Sequence, residues 1–579
     1  MEKNLLIVLL ISFNISIAFA QIGKQNTGKN LNLDYPSLTV TVNTNPSSGY
    51  LFLGPTTLES GHLIILDNDL VPIFHKKIAG GTVFDFKLQE NGKLTYNISS
   101  GHSYGMDSSG TVDKEYITPS GFELDIHELQ VLEDGTYYVI GMYHITIDMS
   151  QYVPGGDTAA ILLVNTIHHM DTNDNEIWRW NSLDHYDILD VDEFIDITNR
   201  TIDWTHCNSI DIDADGNLII STRNFNEITK ISRQSGEIIW RLGGEKNQFQ
   251  FINDGRGFSR QHDVRVLSDG NIGLFDNGQY LIPEYSSYVE YEIDEQNYTA
   301  TLIRRYSRNG SILSVKKGGA QELPNGNISI SWDGILNPFI SEINPEDSTV
   351  YEVRYDNPVQ QYRAYRFSWK SNLFSMQFDS LDFGEVTVGD SARIDVKLFN
   401  RRDYTVLINE VFNKDSSFYV DEIMPVEVAP NDSTEITIIF EPIEEGRFTD
   451  KINFRYVTDT LLIAQQIFVQ GETSLVSVFE EFNETKSYSL SQNFPNPFNP
   501  LTKIKYSVPF VETHRDASLL VTLKIYDVLG NDIKTLVNEE IPAGTYEITW
   551  YAEQLPSGVY FYQLKAGEYI STKKMILLR

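Results

Sequence analysis

Six short segments of the chain repeat one pattern: an apolar residue, a polar or acidic pair, a glycine and then a run of β-forming residues. They are LESGHLII (58–65), LQENGKLTY (88–96), LEDGTYYVI (132–140), IDADGNLII (212–220), LSDGNIGLF (267–275) and LPNGNISIS (323–331). Each segment is typical of a β-hairpin, because Asp-Gly, Asn-Gly and Ser-Gly pairs favour tight turns between strands. Further strand phrases, such as NEIWRW (175–180) and GEIIWRL (236–242), follow most of them. Units of about four strands, repeated about six times, predict a six-bladed β-propeller over residues 21–372.

The strand pattern changes after the propeller region. The segments LDFGEVTVGDSARIDVKLFN (381–400) and VEVAPNDSTEITIIFEP (426–442) alternate apolar and polar residues between clusters of turn residues. This alternation predicts an immunoglobulin-like β-sandwich over residues 375–473, without the paired cysteines of antibody domains.

A polar linker at 474–487 is predicted to lead to a last module at 488–579. The module begins with NFPNPFNP (493–500), whose prolines exclude both a helix and a central strand. The strand-like segments that follow predict a small C-terminal β-sandwich, so the whole chain is expected to be all-β.

The N-terminus is typical of a secretory signal peptide over residues 1–20. A mostly apolar run ends in the small-x-small site Ala18-Phe19-Ala20, so the mature chain is expected to begin at Gln21. No later segment is long and apolar enough to predict a transmembrane helix. The single cysteine, Cys207, cannot form an intrachain disulfide.

The chain is strongly acidic. It has 45 Lys and Arg against 80 Asp and Glu, which gives a formal net charge of −35. Such a surface repels phosphate backbones, so no nucleic-acid partner is expected.

Three histidines stand at matching points of three of the hairpins. His127 and His262 lie eight residues before the turn glycine of their hairpins, and His206 lies ten residues before its own. If the units are related by rotation, as in a propeller, the three imidazoles converge. We therefore expect the functional site at that place.

The hairpin register predicts which residues join the histidines. A two-residue turn at Asp215-Gly216 would place Asn208 opposite Arg223 and His206 opposite Phe225. Residues 206 and 208 point to the same face of a strand, so His206, Asn208 and Arg223 should form one patch.

The same construction applies to the other two hairpins. It predicts that His262 faces Asn277 and that His127 faces Met142, although a slip of one residue would break these pairs. Cys207 should point to the opposite face and be a small buried residue.

A patch of imidazoles and a guanidinium suits an anion whose charge shifts during a reaction. A neutral imidazole can also act as a nucleophile or general base. Three histidines could bind zinc, but the neighbouring Arg223 would repel a cation, so we expect no metal. Asp211-x-Asp213-x-Asp215-Gly216 resembles half of a calcium loop, yet position twelve is Thr222, which favours a hairpin turn.

This region resembles the bacterial arylsulfate sulfotransferases, which are six-bladed propellers. The resemblance is carried by DWTHCNSIDIDADGNLIISTRNFNEITKISRQSGEIIWRLGG (203–244) and FSRQHDVRVLSDGNIGLFDNG (258–278). The spacing is His-x-Asn, an Arg fifteen residues after the Asn, and then Gln-His-Asp. The resemblance extends over about residues 25–372 and is strongest in residues 200–280.

The resemblance implies roles for the patch. His262 would match the nucleophile that accepts the sulfuryl group as a sulfohistidine. His206, Asn208 and Arg223 would bind the sulfate oxygens and stabilise the transition state. His127 would be the remaining active-site histidine, and we group it with Asn277 among the substrate-binding residues.

The implied reaction is ping-pong transfer of a sulfuryl group from an aryl sulfate donor to a phenolic acceptor. It would be independent of 3′-phosphoadenosine-5′-phosphosulfate and need no cofactor, and the chain has no glycine-rich phosphate-binding loop. A second function stays open, namely a non-catalytic cell-surface propeller that binds glycans or protein partners.

The last module resembles the type A sorting domain of the type IX secretion system. The matching segments are NFPNPFNP (493–500), IYDVLG (525–530), AGTYEITW (543–550), LPSGVYFYQL (555–564) and STKKMILLR (571–579). This resemblance implies export to the periplasm and passage across the outer membrane by the type IX secretion machinery. In that family the sorting domain is normally cleaved, and we expect a secreted or cell-surface protein.

Overall fold

The computed structural model describes residues 35–334, 338–474, 487–509, 519–542, 544–552 and 555–578. The regular secondary structure of these residues consists of strands and five short 3₁₀ helices, so the all-β prediction is confirmed. The 3₁₀ helices are Met149–Gln151, Ser182–Asp184, Ile188–Asp190, Arg223–Phe225 and Arg308–Gly310. The predicted signal peptide and most of the predicted linker lie outside the described residues. The chain divides into two compact units, residues 1–475 and 476–579.

The first part of the first unit is built from short strands. In chain order they are β1 (Leu38–Asn43), β2 (Tyr50–Leu53), β3 (Gly61–Leu66), β4 (Pro72–Ile78), β5 (Val83–Leu88), β6 (Leu94–Ile98), β7 (His102–Met106), β8 (Val112–Tyr116), β9 (Glu123–Val131), β10 (Tyr137–Ile147), β11 (Ala160–Met170), β12 (Glu176–Asn181), β13 (Thr201–Asp203), β14 (Cys207–Ile212), β15 (Leu218–Thr222), β16 (Glu227–Ile231), β17 (Ile238–Gly243), β18 (Gln250–Ile252), β19 (His262–Val266), β20 (Ile272–Asp276), β21 (Ser287–Asp294), β22 (Thr299–Tyr306), β23 (Gly319–Glu322), β24 (Ile328–Ser331), β25 (Ile340–Ile343), β26 (Thr349–Tyr355) and β27 (Ala364–Phe367).

Within the described residues, these strands form six sheets that each contain four antiparallel strands. The strand orders are β27-β2-β3-β4, β5-β6-β7-β8, β9-β10-β11-β12, β14-β15-β16-β17, β19-β20-β21-β22 and β23-β24-β25-β26. The two ends of the region pair with sheets far away in sequence, because β27 pairs with β2 and β1 pairs with β26. This closure and the six sheets are consistent with the predicted six-bladed propeller.

The turns of the three histidine hairpins are five residues long. They are residues 132–136, 213–217 and 267–271. In the second turn, Asp213 Oδ1 accepts hydrogen bonds from the backbone N–H groups of Asp215 and Asn217 at 2.9 and 2.8 Å. This is an Asx turn, stabilised by the aspartate side chain. The predicted two-residue turn was therefore wrong.

The first strands of four successive sheets contain irregular pairing at the same point. The register shifts lie between Phe84 and Lys87 in β5, Leu124 and Leu129 in β9, Cys207 and Ser209 in β14, and His262 and Arg265 in β19. Such β-bulges bend a strand and redirect its side chains. All three histidines of the predicted site lie at or beside these bulges.

The apolar core lies between neighbouring sheets. Trp240 and Leu242 of β17, for example, pack with Val264 of β19 and Leu274 of β20. The first strands of the sheets instead carry buried polar and charged side chains toward one another. A ring of apolar packing therefore surrounds a polar centre, which is where the candidate site lies.

The second part of the first unit has ten strands. They are β28 (Ser375–Met376), β29 (Ser380–Thr387), β30 (Ala392–Phe399), β31 (Val406–Ile408), β32 (Glu410–Phe412), β33 (Phe418–Val420), β34 (Val426–Val428), β35 (Ser433–Phe440), β36 (Arg447–Val457) and β37 (Leu461–Ser474). The sheet β29-β37-β36-β32 and the sheet β28-β30-β35-β33 are consistent with the predicted immunoglobulin-like sandwich. β37 also pairs with β4, with Leu461 opposite Lys76, so one sheet is shared with the propeller-like part.

The second unit has seven strands in its described residues. They are β38 (Ser489–Leu490), β39 (Leu501–Val508), β40 (Leu519–Tyr526), β41 (Asp532–Ile541), β42 (Gly544–Tyr551), β43 (Gly558–Ala566) and β44 (Tyr569–Leu577). They form the sheets β38-β39-β42 and β41-β40-β43-β44 around one apolar cluster that includes Trp550 and Tyr562. This arrangement is consistent with the predicted small sandwich.

Candidate functional site

The three histidines come from the first strands of three successive sheets. His127 lies in β9, His206 immediately precedes β14, and His262 begins β19. The ring centroids of His127 and His206 are 4.8 Å apart, and those of His206 and His262 are 6.5 Å apart. The structure therefore brings together the three imidazoles that the repeat pattern singled out.

The predicted cross-strand pairs around these histidines were wrong. The predicted pairs were Asn208–Arg223, His206–Phe225, His262–Asn277 and His127–Met142. The observed pairs are Cys207–Thr222, His262–Phe275 and Met142–Glu123. The five-residue turns shift the register by one residue, and the bulges shift it further. Arg223 instead donates its backbone N–H to the carbonyl of His206 at 3.1 Å.

His262 is held in one tautomer by Asn277. The amide nitrogen of Asn277 donates to the carbonyls of Ser314 and Lys317 at 2.6 and 2.9 Å, so its oxygen must face the imidazole. His262 Nδ1–H donates to that oxygen at 2.7 Å and to the carbonyl of Arg260 at 3.1 Å. The lone pair is therefore on Nε2, which makes no hydrogen bond within the described part of the chain.

The electrostatic environment keeps His262 neutral. The side chain is buried, and burial lowers its pKa well below the ordinary value. The positive charge of nearby Arg223 lowers the pKa of His262 further, whereas the hydrogen bond that His262 donates to Asn277 opposes the shift. A neutral imidazole with a free Nε2 lone pair is a competent nucleophile.

Each of the other two histidines is hydrogen-bonded to a carboxylate. His206 Nδ1 lies 2.5 Å from Asp203 Oδ2, and His127 Nδ1 lies 2.5 Å from Asp125 Oδ1. Burial opposes ionisation of Asp125 and Asp203, but the hydrogen bonds and charges of their histidines outweigh it and lower both carboxyl pKa values. Such carboxylates orient an imidazole and stabilise its protonated form.

Neighbouring groups shift the pKa of His206 in opposite directions. Burial lowers its pKa, and Asp203 raises it, while His127 and Arg223 lower it again, so that the pKa of His206 lies below its ordinary value. His206 also has a left-handed backbone conformation, with φ at 50°. Non-glycine residues rarely adopt this conformation, and those that do are concentrated at functional sites.

Arg223 supplies positive charge beside the histidines. It follows β15 and is half-buried, with its guanidinium bonded to Asn224 Oδ1 at 2.9 Å and to Gln279 Oε1 at 3.3 Å. Burial and the nearby Arg260 lower the pKa of Arg223 to about 10, which still leaves it charged at neutral pH. A fixed cation of this kind can bind sulfate oxygens.

Asn208, for which the resemblance implies a sulfate-binding role, lies in β14. It is fully buried, and its amide nitrogen donates to the carbonyl of Gln261 at 2.8 Å. The backbone carbonyl of Asn208 accepts a hydrogen bond from Arg363 Nη2 at 2.7 Å. Through its contact with Arg363, Asn208 connects the histidine site with the charged residues beneath it.

A buried charged cluster lies beneath the site. Its members are Asp85, Glu128 and Asp263 against Lys87, Arg265 and Arg363. Arg363 bonds Glu128 at 2.9 Å, and the three basic groups hold the pKa of Glu128 well below its ordinary value despite burial. The three acids and three bases neutralise one another, so the cluster fills the polar centre without a net charge.

Two other predictions concern metals and the cysteine. Among the described residues, no group of three or more His, Cys, Asp or Glu is arranged to hold a metal ion. In the calcium-like segment, the ammonium of Lys230 lies 2.7 Å from Asp213 and 3.7 Å from Asp215, so a lysine neutralises these carboxylates. Cys207 is buried in an apolar cluster, and burial raises the pKa of its thiol.

Several site residues were missed at the sequence level. They are Asp125, Asp203, Gln279 and Arg363. The two aspartates had a usable signal, since each precedes its histidine by two or three residues. Arg363 had none, because it lies far along the chain from Asn208 and Glu128.

Comparison with protein families decides the identity of the first unit. The arylsulfotransferase family model matches residues 61–356, which is more than half of the chain. The chain belongs to the arylsulfotransferase family. This membership supports a sulfotransferase activity, and the matched region contains all six predicted site residues.

Two further family models match the chain outside residues 61–356. A transmembrane protein 131-like N-terminal model matches residues 374–455. A secretion system C-terminal sorting domain matches residues 492–578 and confirms the predicted sorting module. The protein is therefore a type IX-secreted protein, either released or at the cell surface. Over the residues that the structure describes, no helix has the length and apolar character to span a membrane.

Solved structures resemble the chain only weakly. A protein of unknown function from Bacteroides caccae is 13% identical, with 55% of this chain and 98% of that chain covered and a TM-score of 0.36. Virginiamycin B lyase from Staphylococcus aureus is 11% identical, with 70% and 99% covered and a TM-score of 0.27. PorZ from Porphyromonas gingivalis is 10% identical, with 91% and 75% covered and a TM-score of 0.23. Likenesses at this level carry no conclusion about function, and no curated protein matches the chain.

Proposed function

We propose that the protein transfers a sulfuryl group from an aryl sulfate to a phenol through a sulfohistidine at His262. The observation that carries this proposal is the state of His262, a neutral imidazole whose Nδ1–H is fixed by Asn277 and whose Nε2 is free. The adjacent Arg223 adds the positive charge that an anionic substrate requires.

In the first step, Nε2 of His262 attacks the sulfur of the aryl sulfate. The N–S bond forms as the S–O bond to the aryl group breaks, and the leaving phenolate takes a proton from the imidazolium form of His206 or His127. Arg223 stabilises the sulfuryl oxygens, as is needed in a loose in-line transfer. Asp203 opposes the lowering of the His206 pKa by burial, and both Asp203 and Asp125 orient the imidazoles that they contact, which supports a role for these histidines in proton transfer.

In the second step, a phenolic acceptor attacks the sulfur of the sulfohistidine. His206 or His127 takes the hydroxyl proton, the new S–O bond forms and the N–S bond breaks, which regenerates neutral His262. The two steps form a ping-pong cycle that needs neither a cofactor nor 3′-phosphoadenosine-5′-phosphosulfate.

The test uses purified mature protein with 4-nitrophenyl sulfate and phenol, and it follows nitrophenolate release. We expect release that depends on phenol in the native protein. The His262→Ala variant should lose turnover and the acid-labile sulfated intermediate. His144 is exposed on β10, so His144→Ala serves as the matched control and should keep full activity.

Two outcomes would contradict the proposal. Absence of phenol-dependent release in the native protein would favour the non-catalytic surface propeller. Full activity of His262→Ala would show that another group is the nucleophile, even if the protein is a sulfotransferase.

A further inference from the structure

We infer that Phe194 and Tyr280 form an aromatic platform that binds the aryl ring of the substrate at the rim of the histidine site, an inference that rests on the proposed function. The two rings are stacked, with centroids 4.2 Å apart and planes inclined by 14°. Nevertheless, 50% of Phe194 and 46% of Tyr280 are exposed. Two exposed rings that are already ordered offer a surface on which a further aromatic ring can pack.

The platform lies at the same end of the sheets as the nucleophile. Tyr280 follows β20, and His262 begins β19, which pairs antiparallel with β20. In such a pair, the beginning of one strand lies beside the end of the other. Phe194 stacks on Tyr280 and therefore lies at this end too, although it belongs to the insertion between β12 and β13.

The platform is also connected to the sulfate-binding arginine. Gln279, next to Tyr280 in the chain, accepts a hydrogen bond from Arg223 Nη2 at 3.3 Å. The guanidinium carbon of Arg260 lies 5.3 Å from the centroid of the Tyr280 ring. A substrate whose sulfate binds Arg223 therefore has the two exposed rings beside it.

Both segments that carry the rings are held by hydrogen bonds. On the insertion, Asp192 accepts a hydrogen bond from Arg260 Nη2 at 3.0 Å and donates its backbone N–H to the carbonyl of Asn224 at 3.0 Å. Tyr280 donates its backbone N–H to Glu284 Oε1 at 2.8 Å. Its φ of 66° is unusual for a bulky residue, so the surrounding contacts hold this backbone conformation in place.

This arrangement defines the substrate class. Stacked aromatic rings stabilise an aryl group that packs on them, and they give little to a flexible alkyl chain. Donor and acceptor enter a ping-pong site in turn, so the same rings serve the leaving phenol and the incoming phenol. The protein should therefore prefer aryl over alkyl sulfates and bind extended aromatic rings more tightly than small ones.

The experiment compares Phe194→Ala, Phe194→Leu and Tyr280→Ala with the native protein. Two quantities are measured: equilibrium binding of 4-methylumbelliferone by fluorescence anisotropy, and kcat and KM for 4-methylumbelliferyl sulfate. We expect each alanine variant to weaken binding and raise KM by about tenfold, with kcat nearly unchanged. Phe194→Leu should have an affinity and a KM between those of the native protein and Phe194→Ala, because leucine keeps apolar area but lacks the ring.

Matched controls come from exposed aromatic residues of the sandwich. Phe378 and Tyr404 are 41% and 47% exposed, and their alanine variants should bind 4-methylumbelliferone as the native protein does. Unchanged binding in Phe194→Ala and Tyr280→Ala would overturn the platform, as would native protein that does not bind the phenol. Native protein that binds the phenol through these rings but transfers no sulfuryl group would overturn the proposed reaction and leave the platform supported.

Discussion

Replacing Asn277 with aspartate tests how His262 is kept neutral. Asn277 Oδ1 accepts the Nδ1 proton of His262 at 2.7 Å, and the amide nitrogen donates to the carbonyls of Ser314 and Lys317. Aspartate keeps an acceptor for Nδ1, but it adds a negative charge and removes both donors. The charge favours the imidazolium form of His262.

The expected size of the effect follows from the geometry. Unit charges about 4 Å apart attract by about 4 kcal/mol at an effective dielectric constant of about 20. If burial of the carboxylate and its repulsion by the two carbonyls offset about half of this, about 2 kcal/mol remains. That energy raises the pKa of His262 in the variant, and it moves the acidic limb of the rate profile upward by about 1.5 pH units.

The direction of the shift in the pH–rate profile follows from the protonation state that the nucleophile His262 needs. Protonated His262 has no lone pair on Nε2, so activity is lost as the pH falls through the pKa of His262. In the native protein this pKa is well below its ordinary value, so activity should persist below pH 6.5. In Asn277→Asp the loss should begin at higher pH.

The measurement is kcat/KM for 4-nitrophenyl sulfate between about pH 5 and pH 9, at saturating phenol. Asn344→Asp is the matched control, because Asn344 Oδ1 accepts the backbone N–H of Ser348 at 2.8 Å and an aspartate can do the same. The control adds one negative charge and should keep the native profile. A profile of Asn277→Asp that coincides with the native one, or shifts to lower pH, would refute the assigned role of Asn277.

Two further predictions concern the charged residues around the site. Arg223→Met should lower kcat by about a hundredfold or more, because one preorganised donor to the developing charge is lost. It should also move the acidic limb of the pH–rate profile upward, since Arg223 lowers the pKa of His262; an unchanged rate would show that Arg223 does not contact the sulfuryl group. Arg363→Met should destabilise the fold by about 3–5 kcal/mol in urea unfolding, because Glu128 and Asp85 lose a buried partner. Arg354→Met removes a more exposed ion pair and should lower the free energy of unfolding by less than about 1 kcal/mol. Equal losses of stability in the two variants would contradict the conclusion that burial makes the ion pairs of Arg363 important for the fold.

Several features of the fold could be predicted from short-range patterns in the sequence. Turn glycines and strand alternation act over a few residues, which is why the repeated hairpins and the all-β class could be predicted. The histidines were found because they occupy equivalent places in repeated units. The fine register could not be predicted, because an Asx turn at Asp213 and a two-residue turn at Asp215-Gly216 share the same short sequence.

The sequence by itself determined the strand-forming segments, the positions of the hairpin turns and the equivalent places of the three histidines. The tertiary structure decided which face each residue occupies, because bulges in β9, β14 and β19 redirect the side chains. It also decided the electrostatics. Arg363 meets Glu128 only after 235 residues of chain have closed around the centre, and Phe194 meets Tyr280 only when the insertion folds back. Contacts between residues so far apart depend on the closure of the whole fold, and no local pattern encodes them.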